Sequence, residues 1–480
     1  MTGSYCQAEH VQLELYQLGD PHFAIDCAGA SVPLTTEQIG FGFNLKASEQ
    51  WAAQLTAKQL PSHIDKSGAR HHPRKVLIVS RIKPQNLFHH FEAMLAAYIS
   101  LAARGWENLP ATDIDVMLVD VPSFRRVRPP VPRSREETMT LDVWSMFGAV
   151  RSTNPAEWLN TPALTLRARM EADASALPVA EGRHPACHRD ACRIVLSEAV
   201  FAITGFTRLV HHLSPVHKNA TVGMSTEALY DATFPKRECG PSTLLRAAVA
   251  RMLLHVVPSP VRGERQADFE RRTEGISSVG RLRRQWQSRR RQGFEVLSSS
   301  MEALQVTVIC RGEGAFRRTR LMLNQAEVIA ALQTVKVSTW PNGVVVTKAV
   351  MEEMSWSEQL SLVSQSDVLI GMHGAGLTHL AWLPESSGVI ELMNYGMEND
   401  GGREGIAVYQ RLAGALGLAY SQWHNTNPAN HEVVDPLRPE IMANTRVDTV
   451  ELCEVVRVML EQLVGEWRET SPTKMNSSSH

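Results

Sequence analysis

The sequence has no long apolar run and no excess of charge of either sign. Its longest helical apolar region, Asn86 to Ala103, is interrupted by His89, His90 and Glu92, and a membrane span needs about 18 apolar residues. Lys and Arg number 49 against 50 Asp and Glu, so the formal net charge is −1. This balance argues against a surface that binds nucleic acid or acidic membrane. We therefore expect neither a membrane span nor a nucleic-acid partner.

Cysteine is scarce and indicates no metal site. The 480 residues include 7 cysteines, an odd number, and none of them has zinc-finger spacing. The first twenty residues lack the basic and apolar regions of a secretory signal, so the sequence assigns no compartment. Hydrophobic residues make up 44% of the sequence, which is typical of a globular protein with a hydrophobic core.

Composition and periodicity divide the chain into six segments. Between residues 262 and 291 there are ten arginines against four acidic residues. A solvated linker and a patch that binds an acidic partner are both consistent with this run, and we take the linker as the prediction. The predicted segments are an N-terminal extension (1–73), a first α/β lobe (74–258), an Arg-rich linker (259–300), a second α/β lobe (301–445), a C-terminal helix (446–466) and a disordered tail (467–480).

Both lobes have the pattern of parallel α/β structure. In the first, RKVLIVSR (74–81) and IDVMLVDV (114–121) are predicted as buried strands, and a helix between them ends at Gly105. In the second, short apolar runs alternate with helical periodicity, which predicts a doubly wound sheet. Its predicted strands are 305–311, 342–348, 367–372, 388–393 and 418–423, and its predicted helices are 324–335, 356–365, 375–383, 406–416 and 447–463.

A glycine-rich loop follows the predicted strand 367–372. Gly374 and Gly376 allow a ligand to approach the backbone closely, and the next helix would offer free N–H groups to an anion such as a diphosphate. His373 and Thr378 could add hydrogen-bond donors. A glycine turn that serves only strand–helix packing is the alternative. The order of glycines is the reverse of the dinucleotide fingerprint, and the chain has no Gly-x-Ser-x-Gly elbow, which disfavours serine hydrolysis.

The sequence around this loop resembles glycosyltransferase family 61, and most of all its EGF-domain-specific O-linked N-acetylglucosamine transferases. The likeness is specific over about 305–425 and fainter over 74–256. It is carried by MSWSEQL (354–360), SQSDVLIGMHGAGLTHLAWLP (364–384), GVIELMN (388–394), Arg311 and RLMLNQAEV (320–328).

The resemblance implies a GT-B fold, in which two Rossmann-like lobes face a cleft and the C-terminal helix crosses back to the first lobe. It implies inverting transfer of a sugar, which we predict to be N-acetylglucosamine, from a UDP-sugar to a Ser/Thr hydroxyl of a protein such as an EGF-like domain. Two alternatives stay open: transfer of xylose or arabinose to a polysaccharide, and a non-catalytic nucleotide-sugar-binding scaffold. The family implies the endoplasmic reticulum or Golgi, but the chain ends KMNSSSH, which is no retention signal.

The family also implies roles for individual residues. His89 is the candidate general base, because it opens a helix that follows a strand, and Glu92 is the next candidate. Glu391 is expected to bind ribose, and Arg320 with the glycine loop to stabilise the leaving diphosphate. The predicted donor-binding residues are Asn86, Arg311, Arg320, His373, Gly374, Gly376, Thr378 and Glu391.

Several of these residues also have purely structural interpretations. His89 could be a hydrogen-bonded core histidine, Arg320 could pair with Glu327 or another acid on a helix, and Glu391 could be an ordinary strand-end residue. Trp144 and Trp423 are expected to pack rather than to stack on a sugar. The Asp-x-Asp that animal relatives carry after their first-lobe Trp is missing here, and Asp113-x-Asp115 starts a predicted strand instead. Dependence on a divalent metal is therefore left open, and we predict no metal ligands.

Overall fold

A computed structural model describes the chain in two compact units, residues 1–209 with 255–257 and residues 210–254 with 258–480. The predicted Arg-rich linker and the tail after 469 lie outside the described residues. Each unit is treated by itself. The described residues are 5–16, 22–26, 55–58, 70–79, 86–118, 143–151, 187–188, 191–202, 242–254, 303–312, 319–397, 408–437, 439 and 442–469.

The first unit contains a mixed sheet of eight strands in the order β3-β2-β1-β8-β4-β5-β6, with β7 paired to β8. Its part β8-β4-β5-β6 is parallel. Three of the strands lie within 1–73, the range expected to be a separate extension. The strands are β1 (Tyr5–Tyr16), β2 (His22–Asp26), β3 (Leu55–Lys58), β4 (Arg70–Val79), β5 (Ile114–Leu118), β6 (Ala149–Arg151), β7 (Cys187–His188) and β8 (Ala191–Ala202).

Helix α1 (Leu87–Arg104) connects β4 to β5 and gives the βαβ unit that the sequence predicts. The side chain of Asn86 caps its first turn by accepting the Phe88 N–H at 3.0 Å. Gly105 ends the helix with φ +75°, a conformation that glycine adopts without steric cost. Most of the helix is buried, since it packs on a sheet whose β5 is buried throughout.

The second unit is built on a five-stranded, wholly parallel sheet in the order β10-β9-β11-β12-β13. In such a sheet the carboxyl ends of all strands lie at one edge, where ligands of open α/β sheets bind. A small antiparallel pair lies apart from it. The strands are β9 (Leu304–Cys310), β10 (Val344–Val350), β11 (Val368–Met372), β12 (Gly388–Met393), β13 (Ala419–His424), β14 (His431–Glu432) and β15 (Asn444–Thr445).

The helices of the second unit are α2 (Thr243–Leu254), α3 (Gln325–Leu332), α4 (Trp356–Val363), α5 (Val408–Leu416) and α6 (Thr449–Glu469). Ser355 and Glu358 form a capping box at the start of α4. The segment Ala375–Trp382 was expected to be an α-helix but is a 3₁₀ helix, in which Leu377 donates its N–H to the Gly374 carbonyl three residues back.

The C-terminal helix α6 belongs to the core of the second unit. Its buried face, which includes Leu452, Val456, Leu460 and Leu463, packs with residues of β9, β11 and β12. These contacts make the helix a layer on the second sheet, and its expected crossing to the first lobe stays a prediction. The predicted α/β architecture is confirmed in both units. No described helix is long and apolar enough to span a membrane.

Candidate functional site

The glycine-rich loop lies at the carboxyl edge of the second sheet, directly after β11. His373 continues the sheet by donating its N–H to the Leu392 carbonyl at 2.9 Å. Gly374 has φ +150° and ψ 179°, a region that is essentially restricted to glycine. Its carbonyl accepts the hydroxyl of buried Tyr409, on α5, at 2.6 Å. The conformation of the turn is therefore fixed from two sides before any ligand binds.

Two arginines converge on Gly374. A Cβ atom at this position would lie 2.7 Å from Nη1 of Arg320 and 3.8 Å from Nη2 of Arg311. Arg320 also donates from Nη1 to the His373 carbonyl at 3.3 Å. Arg311 directly follows β9, so both guanidinium groups lie at the carboxyl edge of the sheet. The absence of a side chain at Gly374 is what makes room for the Arg320 guanidinium.

The backbone of Arg320 is held in a strained conformation by its neighbours. Its φ is +59°, which is uncommon for a residue other than glycine. Its N–H is donated to the Ala443 carbonyl at 3.0 Å, and Leu321 donates its N–H to Oδ1 of Asn444 at 2.9 Å. Buried Asn394 donates to the same Ala443 carbonyl at 3.2 Å. Strain of this kind persists where the surrounding contacts over-determine it, and it occurs most often at functional sites.

The proposed pairing of Arg320 with Glu327 is wrong. Glu327 instead receives two hydrogen bonds from Nη2 of Arg446, at 2.6 and 2.7 Å, on the protein surface. Asn324 exchanges hydrogen bonds of 2.9 Å with the backbone of Val447, so it joins the start of α3 to the segment before α6.

His373 and Glu391 form a side-chain hydrogen bond at the edge of the sheet. Nδ1 of His373 lies 2.5 Å from Oε1 of Glu391, a carboxylate that is fully buried. Oε2 of Glu391 accepts the hydroxyl of Tyr420 on β13, whose own oxygen accepts an amide hydrogen of Gln422 at 2.8 Å. Burial and the Glu391 charge raise the pKa of Tyr420 far above its usual range, so the phenol stays a donor. Both carboxylate oxygens of Glu391 are therefore engaged in hydrogen bonds within the protein, and the clearest role of Glu391 is to orient His373.

Thr378 lies behind the turn rather than at its surface. It is fully buried, and its hydroxyl oxygen has no hydrogen-bond partner among the described residues. Gly376 is more accessible, and a Cβ atom there would meet Ile309 at an ordinary contact distance of 3.4 Å. A steric clash therefore does not explain Gly376, whereas at Gly374 a Cβ atom would collide with the Arg320 guanidinium.

The candidate base lies in the first unit, as does Asn86, whose side chain serves as the cap of α1. His89 is partly exposed on α1, and its Nδ1 lies 2.7 Å from Oε2 of Glu92. Because a carboxylate only accepts, Nδ1 carries the proton and Nε2 is left with its lone pair. This is the arrangement of a base that is oriented by a third group. His89 is thus no buried core histidine, unlike His90, which accepts the indole N–H of Trp144 at 3.3 Å.

The remaining candidates have structural roles. Trp144 and Trp423 are buried, and Trp423 donates its indole N–H to Glu451 at 3.2 Å, so both pack as expected. Asp115 is fully buried and pairs with Arg151 at 3.1 Å and with His72 at 2.7 Å. A carboxylate held by such an ion-pair cluster fits a structural role. Among the described residues there is no group of three or more side chains suited to hold a metal.

Several residues of the site were missed in the sequence. Tyr409 on α5 contacts the loop at Gly374, and Tyr420 on β13 contacts Glu391. Asn394 donates to the Ala443 carbonyl that also accepts the Arg320 N–H. These contacts could not be inferred from the sequence, because they depend on the register of the strands and on how helix α5 packs over the sheet. The parallel order alone would have placed the ends of β12 and β13 side by side.

Comparison with known proteins identifies a family whose model matches part of the chain. Residues 178–390 match the model of the family described as Glycosyltransferase 61. Over 124 residues the chain is 37% identical to the EGF domain-specific O-linked N-acetylglucosamine transferase of Bos taurus and 40% identical to that of Gallus gallus. Over 134 residues it is 36% identical to the protein O-linked-mannose beta-1,4-N-acetylglucosaminyltransferase 2 of Bos taurus.

Each of these matches covers 26% of this chain and 20% of the relative. The chain therefore aligns with about a fifth of the length of the proteins it resembles. Within that limit, the resemblance to glycosyltransferase family 61 seen in the sequence is confirmed.

Proposed function

We propose that the chain, whose residues 178–390 match the model of glycosyltransferase family 61, transfers N-acetylglucosamine from UDP-N-acetylglucosamine to a Ser or Thr hydroxyl of a protein, with inversion at the anomeric carbon. The observation that carries the proposal is the convergence of Arg311 and Arg320 on Gly374 at the carboxyl edge of a parallel sheet. The proposed donor-binding residues are those two arginines, His373, Gly374 and Gly376, with Asn86 as the first-lobe candidate, whereas the buried Thr378 supports the turn from behind.

The charge at this edge suits a diphosphate. Two guanidinium groups and the imidazole of His373 lie at a turn whose next two N–H groups, those of Ala375 and Gly376, precede the first hydrogen bond of the 3₁₀ helix. Charge-assisted hydrogen bonds of this kind contribute about 1.5–3 kcal/mol each. Such donors stabilise a leaving diphosphate more strongly as negative charge develops on it, and this difference accelerates the reaction. In this proposal Glu391 acts through His373 by fixing its ring, and ribose recognition falls to other residues.

The chemical step breaks one bond and forms one. The acceptor oxygen attacks the anomeric carbon, and the bond from that carbon to the β-phosphate oxygen breaks, so that UDP leaves with the electron pair. The acceptor proton passes to Nε2 of His89, whose Nδ1–H is held by Glu92. This step requires the GT-B arrangement that the family resemblance implies, with both lobes facing one cleft, and we include that arrangement in the proposal.

The names of the relatives support the sugar more strongly than the acceptor. All three are named as transferases of N-acetylglucosamine, but two are named for EGF domains and one for O-linked mannose. A Ser/Thr acceptor in an EGF-like domain is therefore the first acceptor to test. Transfer of xylose or arabinose to a polysaccharide, and a scaffold without activity, are outcomes that the test below distinguishes.

The test is to incubate the purified full chain with UDP-N-acetylglucosamine, UDP-xylose and UDP-arabinose, each with a folded EGF-like domain or a xylan oligosaccharide, and to measure released UDP. We expect acceptor-dependent release from UDP-N-acetylglucosamine with the EGF-like domain. Release only from a UDP-pentose with the xylan would replace the proposed sugar and acceptor. UDP binding without release from any donor would favour the scaffold, and Arg320→Ala, paired with Arg446→Ala as a surface control, would then test the donor site alone.

A further inference from the structure

Two side chains that the proposed mechanism does not use lie beneath the glycine-rich turn. His379 is on the 3₁₀ helix Ala375–Trp382 and Gln359 is on α4, and both are buried. Nδ1 of His379 lies 2.7 Å from the Gly376 carbonyl, and its Nε2 lies 2.8 Å from Oε1 of Gln359. The imidazole thus connects the backbone of the turn to helix α4.

The orientation of the Gln359 amide follows from its other contacts. Its Nε2 donates to the carbonyls of Met351, at 2.9 Å, and Met354, at 3.1 Å. Exchanging its oxygen and nitrogen would bring the amide oxygen against two carbonyl oxygens and lose both hydrogen bonds. Oε1 of Gln359 is therefore the atom that faces His379.

Both ring nitrogens of His379 consequently face atoms that can only accept. A neutral imidazole has one N–H and satisfies one of these contacts, while the imidazolium has two and satisfies both. Against this acts desolvation: burial lowers the pKa of His379 to about 4, although the Gly376 carbonyl raises it in part. Near neutral pH, the ligand-free protein therefore holds a neutral ring with one unmatched nitrogen–oxygen contact.

The surroundings of the ring include few charges. It packs against the indoles of Trp356 and Trp382, with ring centroids 6.0 and 5.9 Å away. The charged residues on elements packed against this segment are Glu358 on α4, Arg411 on α5, and Arg246 and Arg251 on α2. The pKa shift comes from burial and the Gly376 hydrogen bond, and none of these residues is among its causes. Arg311 and Arg320 hold positive charge at the same turn, which disfavours the imidazolium in the ligand-free protein, and a bound diphosphate would offset that charge.

We propose that Gln359 and His379 are positioning residues of the donor site, which hold the Gly376 carbonyl and with it the N–H groups of the turn, and that a bound diphosphate draws a proton onto His379 so that both ring nitrogens donate. The proposal rests on the proposed function, since it needs a diphosphate at this turn. An anion at the turn favours the imidazolium, and the imidazolium in turn completes the hydrogen bonds that hold the turn in place.

The test is proton uptake on binding of UDP-N-acetylglucosamine, whose diphosphate does not titrate between pH 5 and 8. Titration calorimetry of the full chain in buffers of different ionisation enthalpy gives the number of protons taken up. Because His373 could also take up a proton, the measurement is made on wild type, His373→Gln, His379→Gln and Gln359→Leu. We expect the number of protons taken up per bound ligand to rise as the pH falls from 8 to 5, and to rise in the same way in His373→Gln. In His379→Gln the number should be lower than in wild type.

The affinity itself should rise with falling pH, by up to about tenfold per pH unit for one linked proton, and less steeply in His379→Gln. Gln359→Leu should weaken binding at every pH by loosening the turn, and thermal unfolding of each variant shows whether it is folded. Equal proton uptake by wild type and His379→Gln, with binding intact, would overturn this inference alone. No binding of UDP-N-acetylglucosamine to folded wild type would overturn the proposed function together with it.

Discussion

The imidazole of His373 is held by Glu391, with Nδ1 and Oε1 2.5 Å apart and the carboxylate fully buried. Since the Tyr420 hydroxyl occupies the second oxygen of Glu391, the carboxylate has a fixed orientation, and so has the ring it holds. A histidine whose Nδ1 is engaged in this way presents Nε2 alone to a ligand. The relationship makes the role of Glu391 testable separately from that of His373.

Replacing Glu391 by Ala should impair donor binding although Glu391 does not itself contact the ligand. Its removal leaves His373 without the partner that orients it, and loss of a charge-assisted hydrogen bond costs about 1.5–3 kcal/mol, or roughly ten- to 150-fold in affinity. UDP affinity measured by titration calorimetry checks this. The matched control is Glu327→Ala, which removes an exposed carboxylate that pairs with Arg446 and should change UDP affinity little. Equal effects of both variants would contradict the assignment.

The two glycines of the turn should respond differently to a methyl group. Gly374→Ala puts a Cβ atom 2.7 Å from Nη1 of Arg320 and imposes a strained φ, so Arg320 must move and UDP affinity should fall more than about tenfold. Gly376→Ala places its Cβ atom in ordinary contact with Ile309, and thermal unfolding should match wild type. A Gly374→Ala protein that is folded and binds UDP normally would rule out this view of the turn.

Arg320→Ala should weaken UDP binding by about tenfold or more, because the variant removes a cation next to the proposed diphosphate. Arg446→Ala is the control, since that guanidinium is half exposed and pairs with Glu327 on the surface. Surface pairs of this kind contribute about 1 kcal/mol or less to stability. Calorimetric titration with UDP measures the affinity of both variants. A larger loss of UDP affinity in Arg446→Ala than in Arg320→Ala would refute the proposed donor site.

Stability without ligand should depend on pH through His379. Burial lowers the pKa of this residue to about 4, while the unfolded chain titrates near 6.5. Between these values the unfolded state binds the proton that the folded state excludes, so the contribution is present above about pH 6.5 and is lost as the pH falls towards 4. The change amounts to roughly 3 kcal/mol at most. In denaturant unfolding, the free energy of unfolding of His379→Gln should therefore fall less steeply with falling pH than that of wild type. An equally steep fall would show that other groups cause the acid sensitivity.

His89→Ala should lose turnover and keep donor affinity, because the base acts on the acceptor proton in the transition state. Loss of a general base typically lowers the rate about 10²–10⁴-fold. Steady-state transfer, with UDP affinity measured in parallel, checks this. Glu92→Gln should have a smaller effect in the same direction, since Nδ1 of His89 keeps an acceptor. Full turnover in His89→Ala would remove His89 from the mechanism.

Much of the second unit could be predicted from its sequence. Strand β12 has the predicted limits, and β9, β11 and β13 differ from theirs by one residue or so, because short buried apolar runs between polar turns leave few alternatives. The glycine-rich turn after β11 is likewise visible in the local sequence, and Arg320 becomes a candidate through the family resemblance. Both depend on local sequence, which a single chain displays directly.

Other features depend on contacts between distant residues and could not be predicted. The left-handed backbone of Arg320 is imposed by Ala443 and Asn444, more than a hundred residues away along the chain. The pairing of β1 with β8 joins residues 5–16 to 191–202, and no periodicity in residues 1–73 indicated it. The engagement of Glu391 by Tyr420 likewise follows from strand order and register, which the sequence of either strand does not specify.

The most direct test of the account is an experimental structure of the full chain with UDP bound. We predict that the diphosphate lies against the glycine-rich turn, with its oxygens within hydrogen-bond distance of Arg311, Arg320 and Nε2 of His373. A diphosphate bound at any other edge of either sheet, with these three side chains making no contact to it, would contradict the central claim.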